Sequence, residues 1–237
     1  MNENLYVLMP VHNGAKTIDR AITSVFEQKN VGIDYRLCIV LNNCTDNTEE
    51  VIKDSKWTDK IDIVKCNTKG IVPALNTGLQ YCISNGATLI ARQDADDCWH
   101  PKKLQAQLEL LNSNPDIDIC GTSLRYVKPD TYEPTHEMIY PASHDECIQW
   151  LSSGRNPIAH PSSIYRTHIF SKCGGYDNTF SLAEDMFLWL RAWRNGYRFG
   201  NVTYPLVDYT HVPNPNYNPS VAIALQLLTK VLREYIK

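Results

Sequence analysis

Three carboxylates crowd into the tetrad Asp94-Ala95-Asp96-Asp97. Like charges this close repel one another, so the cluster asks for a counter-ion. Hard cations such as Mg²⁺ and Mn²⁺ favour oxygen ligands and would supply one. If strand geometry continues through the tetrad, Asp94 and Asp96 point the same way. The plainer alternative is a solvated turn that caps the next helix. The spacing lacks the glycine and the later glutamate of an EF-hand loop. A second acidic pair, Glu184-Asp185, opens a segment rich in tryptophan and leucine. There it either favours the helix dipole or holds a general base within reach of a hydroxyl. His211, in Val207-Asp208-Tyr209-Thr210-His211, offers imidazole to an oxygen-rich metal site or a phosphate. His160, ahead of Pro161, offers the same group. A lone histidine is as readily a packed or a surface residue.

The elements that must position these residues can be read from periodicity. Leu5–Pro10, Tyr35–Leu41, Ile61–Val64, Thr88–Ala91 and Ile117–Cys120 are short apolar runs with the character of strands. Between them, Thr17–Gln28, Thr48–Asp54, Val72–Ile83 and a stretch from Pro101 through Leu111 carry helical spacing. Strand and helix in alternation predict an α/β fold, a mostly parallel central sheet flanked by helices. In such sheets the ligand lies outside the carboxyl ends of the strands. Asn13-Gly14, Asn42-Asn43 and Asp94–Asp97 are the polar stretches at those ends, and they should share one crevice. The second half is less regular. Tyr126–Pro141 reads as a loop with room for one strand, Asp145–Leu151 as a short helix and Ala183–Asn195 as a firm helix. Asn214–Pro219 is proline-rich loop, and Val221–Ile236 is amphipathic. That last stripe suits packing on the domain, a membrane surface or a dimer; the pattern assigns no oligomeric state.

Composition removes several function classes. The chain has 237 residues, 43% hydrophobic and 21% charged, which excludes wholesale disorder. Its formal charge of −3 argues against a dedicated nucleic-acid binder. No apolar run reaches the ~20 residues of a membrane helix. Met1-Asn2-Glu3-Asn4 does not begin a secretory signal, so a cytoplasmic protein is expected. Eight cysteines without C-x-x-C spacing read as reduced packing residues. There is no G-x-G-x-x-G and no Walker loop, so the usual dinucleotide and P-loop phosphate cradles are missing.

Four segments, taken in order, carry a family likeness. Met9-Pro10-Val11-His12-Asn13-Gly14 opens the chain. Arg92–Asp97 follows, with Pro101-Lys102-Lys103-Leu104 behind it. His160-Pro161-Ser162-Ser163 and Gly174-Gly175-Tyr176-Asp177 come next, then Ala183-Glu184-Asp185 with Leu188-Trp189-Leu190-Arg191. Over residues 5–212 the chain resembles the family 2 glycosyltransferases of GT-A fold. The resemblance implies one GT-A domain. Residues 1–125 would form its nucleotide-sugar half, 126–212 its acceptor half and 213–237 a C-terminal loop and helix. It implies inverting transfer of a sugar from a nucleotide-diphosphate donor to a glycan or glycolipid, at the inner face of a membrane. Pro10, His12, Asn13, Asn42, Asn43, Arg92, Asp94, Ala95 and Asp96 would line the donor site. Asp96, with Asp94 and His211, would hold Mn²⁺ or Mg²⁺, and Asp97 would assist. Asp185 would deprotonate the acceptor, Glu184 would orient it, and His160 and Trp189 would meet the acceptor.

Two departures from the family pattern matter. Where the family has paired aspartates after its second strand, this chain has Asn42-Asn43-Cys44-Thr45-Asp46. An asparagine carbonyl can still accept from a base, but the amide can also donate, so the base stays open. A UDP-sugar is the first expectation, with deoxythymidine diphosphate and GDP sugars behind it. The Q-x-x-R-W motif of processive synthases is absent, which implies single additions. Two other readings fit the fold class. A sugar-nucleotide pyrophosphorylase would begin with a glycine-rich basic loop, unlike Pro10–Lys16. A non-catalytic binding protein of the same fold would have no need of Asp94, Asp96 and Asp185 together.

Overall fold

The structure, a computed structural model, describes residues 3–180 and 183–210. The expectations for His211, Asn214–Pro219 and Val221–Ile236 lie outside those residues. Five strands of the first half are β1 (Leu5–Val11), β2 (Tyr35–Asn42), β3 (Ile61–Cys66), β4 (Leu89–Arg92) and β5 (Cys98–Trp99). Four helices alternate with them: α1 (Ile18–Phe26), α2 (Thr48–Lys53), α3 (Ile71–Ser84) and α4 (Lys103–Ser113). The second half adds β6 (Ile119–Val127), β7 (Pro134–Met138), α5 (His144–Ser152), β8 (Ile164–Arg166), α6 (Phe170–Cys173), α7 (Glu184–Arg194) and β9 (Phe199–Thr210).

The nine strands of the described residues join one sheet in the order β3-β2-β1-β4-β8-β6-β9-β5, with β7 paired to β6. Strands β3, β2, β1 and β4 run parallel. Beyond β4 the sheet is mixed: β8 is antiparallel to both β4 and β6, β9 is parallel to β6, and β5 is antiparallel to β9. The mostly parallel sheet expected from the sequence therefore holds for β1 to β4, while the rest is mixed.

Alternation along β1 explains the layers. Tyr6 and Leu8 face one core, with Leu75, Leu79 and Cys82 of α3 and Leu188 and Trp189 of α7. Leu5, Val7, Met9 and Val11 face the other, with Ile18 and Ile22 of α1 and Leu104 and Leu108 of α4. Both faces of the central strands are covered, as parallel sheets require. Each fully buried leucine or isoleucine stabilises the fold by roughly 1.5–3 kcal/mol. Gly78 lets α3 approach closely, for a Cβ there would overlap Leu8 and Val40. The second half is clamped by Arg125 on β6 and Asp208 on β9, with two parallel bonds of 2.6 and 2.8 Å. All eight cysteines are free thiols, six of them buried.

Candidate active site

The loops after β1 and β2 are knit together. Asn13 and Asn43 both take positive φ, 54° and 53°, a conformation that asparagine tolerates better than most residues. Asn13 Oδ1 accepts the Thr45 N–H at 2.8 Å, and Thr48 Oγ1 accepts the Gly14 N–H at 2.9 Å. Asp46 accepts from Ala15 N–H and from both the N–H and the hydroxyl of Thr48. These donors hold the Asp46 carboxyl below its ordinary range, the Thr48 hydroxyl first. A Cβ at Gly14 would clash with Val11 and lie 3.8 Å from the Ala95 Cβ, so this loop rests on the tetrad. Beside it lies a pocket of about 230 Å³, bounded by Pro10, Val11, His12, Asn42, Lys69, Gly70, Ile71 and Ala74. Pro10, His12 and Asn42 meet there as expected. Asn42 is no free acceptor, however: it is buried, its amide donates to the Cys66 and Thr68 carbonyls, and its Oδ1 accepts the Gly70 N–H.

Arg92 ends β4 fully inside the protein, and its Nη1 lies 2.5 Å from Asp94 Oδ1. Burial opposes its charge, but Asp94 more than compensates and raises its pKa. The tetrad then turns, with Asp97 N–H donating to the Asp94 carbonyl at 3.3 Å. Strand geometry does not continue, so the expected parallel aim of Asp94 and Asp96 is lost. Asp94 leans to Arg92 while Asp96 opens to solvent. Asp97 is buried: one carboxylate oxygen accepts the Thr210 N–H at 2.7 Å and the other has no partner. Asp96 is exposed at the rim, but the protein around it and the charge of Asp94 still raise its pKa; full burial, with the charges of Asp94 and Asp96, raises that of Asp97 much further. Arg20 of α1 and the Thr210 hydroxyl both donate to the Asp96 carbonyl, at 2.6 and 2.7 Å. Neither residue was found from sequence; both are polar residues on otherwise ordinary elements.

Glu184 and Asp185 open α7. Asp185 Oδ2 accepts from Asn156 Nδ2 at 2.6 Å, and its Oδ1 accepts the Met186 N–H at 2.7 Å. Burial raises its pKa, and these two donors together with Arg92 pull it back. Glu184 is raised to about 7, by burial first and then by Asp185, with a smaller push from Asp94. Arg92 thus lowers the pKa of Asp96, Asp97, Glu184 and Asp185 alike. The tetrad and the α7 pair share one electrostatic field with a buried guanidinium inside it. His160 stands against this cluster, its Nδ1 3.7 Å from Glu184 Oε1 and its Nε2 3.0 Å from the Tyr176 hydroxyl. Burial and Arg92 keep its pKa well below the usual histidine range, so the ring is neutral. Trp189, expected at the acceptor, is a core side chain with no exposed surface. Its indole N–H donates to the Ile158 carbonyl at 3.3 Å.

Among the described residues no three metal-ligating side chains are assembled into a cluster. The donor chemistry still fits a hard cation. Asp96 is a solvent-open carboxylate beside a paired one, Asp97 has an unpartnered buried oxygen, and proton uptake is favoured where a cation would relieve the same repulsion.

The family model for glycosyl transferase family 2 matches residues 6–174. The chain belongs to glycosyl transferase family 2. It is an enzyme of the glycosyltransferase class. This family 2 member is similar to the O-antigen biosynthesis glycosyltransferase WbnJ of Escherichia coli, with 27% identity over 235 residues, 98% of the chain and 88% of the relative. Its fold is shared by the S. aureus TarS fragment 1–349 in complex with UDP-GlcNAc, at TM-score 0.74 and 17% identity, over 97% of this chain and 66% of that one. The mannosyltransferase PcManGT of Pyrobaculum calidifontis, in complex with GDP-Man and Mn²⁺, matches at TM-score 0.69 and 18% identity, over 98% and 64%. The family 2 chain therefore spans just under two thirds of these solved chains. The likeness places its mixed sheet and flanking helices among GT-A-like folds.

Proposed function

We propose that this chain is a metal-dependent, inverting, single-addition glycosyltransferase. It moves a sugar from a nucleotide-diphosphate donor, a UDP-sugar first, to a hydroxyl of a glycan or glycolipid. Residues 1–125 serve the donor and 126–212 the acceptor, at the cytoplasmic face of a membrane. The observation that carries the reading is Arg92, buried and 2.5 Å from Asp94, whose charge also lowers the pKa of Glu184 and Asp185. The relative named for O-antigen biosynthesis and the solved folds with UDP-GlcNAc or GDP-Man bound support the substrate classes. No helix of the described residues is long and apolar enough to cross a membrane.

Asp185 takes the proton of the acceptor hydroxyl. The hydroxyl oxygen bonds to the anomeric carbon as the bond from that carbon to the diphosphate oxygen breaks. Attack from the face opposite the leaving group inverts the configuration. The α7 helix and Asn156 hold Asp185 in one orientation, which a general base requires. Glu184, half-buried beside neutral His160, orients the acceptor. A divalent cation held by Asp96, with Asp94 and His211, would offset the charge that develops on the departing diphosphate.

Hydrolysis and transfer assays over a panel of sugar nucleotides with Mn²⁺ test the reading. One donor should turn over. Asp185→Asn should lower kcat by about 10²–10⁴-fold and leave nucleotide affinity within about threefold. Asp96→Ala should instead weaken the Mn²⁺-dependent part of nucleotide binding. Normal turnover in Asp185→Asn would sink the base assignment.

A further inference from the structure

The segment Gly174-Gly175-Tyr176-Asp177 belongs to the family likeness, yet no step of the transfer uses it. Gly174 takes a φ of 68°, and a Cβ at Gly175 would overlap Asn76 Oδ1. Asn76 of α3 grips the next residue at both ends. Its Oδ1 accepts the Tyr176 N–H and its Nδ2 donates to the Tyr176 carbonyl, each at 2.8 Å. Arg191 of α7 donates to the carbonyls of Cys173 and Gly175 at 2.7 and 2.6 Å. Tyr176 is thus pinned from two helices, with its side chain buried. Its hydroxyl meets His160 Nε2 at 3.0 Å and the hydroxyl of Tyr165, on β8, at 3.1 Å.

Counting hydrogens fixes the direction of these bonds. Tyr165, Tyr176 and the neutral His160 ring carry one polar hydrogen each. Among the described residues the Tyr165 hydroxyl has no other partner, and the residue has no exposed surface. If Nε2 held the ring proton and donated to Tyr176, Tyr176 would donate to Tyr165 in turn. The Tyr165 hydrogen would then be buried without an acceptor, which is costly. If both neighbours donated to Tyr176, its own hydrogen would be stranded in the same way. Donation from Tyr165 to Tyr176 and from Tyr176 to Nε2 strands neither hydroxyl, and it leaves the ring proton on Nδ1. That nitrogen lies 3.7 Å from Glu184 Oε1, a contact of the kind that tightens once substrate is bound. We infer that Tyr176 is a positioning residue: its hydroxyl, donating to Nε2, keeps the His160 proton on Nδ1, aimed at the Glu184 carboxylate. Tyr176 acts through His160. One Glu184 oxygen gains a fixed donor, and the remaining lone pairs are left for the acceptor hydroxyl. The inference rests on Glu184 orienting the acceptor.

Nuclear magnetic resonance of the full chain, nitrogen-labelled at histidine and free of substrate, tests it. Long-range proton–nitrogen correlations separate an Nδ1–H ring from an Nε2–H ring. The chain has seven histidines, and the signal lost in His160→Asn identifies the ring. Nδ1–H is expected in the unaltered chain. It is expected again in Tyr165→Phe, since Tyr176 still donates to Nε2. In Tyr176→Phe that donor is gone, and both tautomers should be populated. Transfer assays should then show the acceptor KM raised about threefold or more and the donor KM within about twofold. His160→Asn sets an amide N–H near the place of Nδ1 with no need of Tyr176. In that background Tyr176→Phe should move the acceptor KM by less than about 1.5-fold. An Nε2–H ring in the unaltered chain would overturn the inference, and that spectrum needs no variant. An acceptor KM unmoved by Tyr176→Phe alone would overturn the positioning role. So would an equal loss in the His160→Asn background, which marks packing. If no acceptor is glycosylated while Nδ1–H is seen, the acceptor reading of Glu184 falls and the direction of the bonds stands.

Discussion

Asn156 shows how much of the site's chemistry rests on one amide. Its Nδ2 reaches Asp185 at 2.6 Å while its own Oδ1 accepts the Ile158 N–H at 3.3 Å, which sets the amide's orientation. Trp189 and Asn201 hold the carbonyls of Ile158 and Pro157, so the loop that presents Asn156 is anchored twice. A donor to the charged carboxylate favours that form, so removing it raises the carboxyl pKa. In Asn156→Ala the acidic limb of the kcat profile should therefore move to higher pH. The acceptor KM should change little. An unmoved limb would mean that the amide only packs. The sequence brought out Asp94, Asp96, Glu184 and Asp185, because carboxylates in clusters are costly without a purpose. It could not show that Asn42 is saturated or that Trp189 faces inward. Those facts depend on partners 24 or more residues away.

Strands β1 to β4 and helices α1 to α4 were legible because local period decides them, and their ends fall within about three residues of expectation, whereas the strand expected at Ile117–Cys120 runs on to Val127. In the second half the helices expected at Asp145–Leu151 and Ala183–Asn195 are found as α5 and α7, but β8 and β9 were not legible. Strand β9 carries Asn201, Thr203, Pro205 and Asp208 among its twelve residues, and its pairing with β6 slips around Ser123. That slip breaks the alternation a reader would look for. Strand β5 is two residues long and exists only through β9. Helix α4 holds an element-level surprise in Lys103, which has no exposed surface. Its Nζ is 2.7 Å from Gln107 Oε1 and 3.8 Å from the Trp99 ring centre. Burial brings its pKa down to about 7. The unfolded chain keeps this proton up to about pH 10, so between pH 7 and 10 it binds more protons than the fold. Stability contributed at this position therefore rises with pH across that window. Lys103→Met should stabilise the protein by about 1–3 kcal/mol near pH 6 and by almost nothing near pH 10. Denaturant melts at the two pH values check it; an equal effect at both would contradict the assignment.

At the scale of the whole molecule, the candidate site sits where the parallel run of strands meets the mixed one. Arg92 ends β4, and its N–H donates to the Ser163 carbonyl just ahead of β8. Donor-side loops and the α7 carboxylates meet at that boundary. No window of sequence could reveal it, since β8 is three residues long and pairs with strands on either side.

The tetrad also has a mechanical aspect. In sheet order three strands separate β4 from β5, so a flat sheet would set them roughly 19 Å apart at ~4.8 Å per strand. The six links from Arg92 to Cys98 reach only about 20 Å when drawn out, and the turn at Asp94–Asp97 shortens that reach. The sheet must curl to bring its far edge home, and the acidic stretch is the tether across the gap. Deleting Ala95 should peel β5 from β9, seen as fast hydrogen exchange at the His100 amide, which the Leu206 carbonyl now accepts from at 2.9 Å. Adding one glycine at the same place should leave that amide protected.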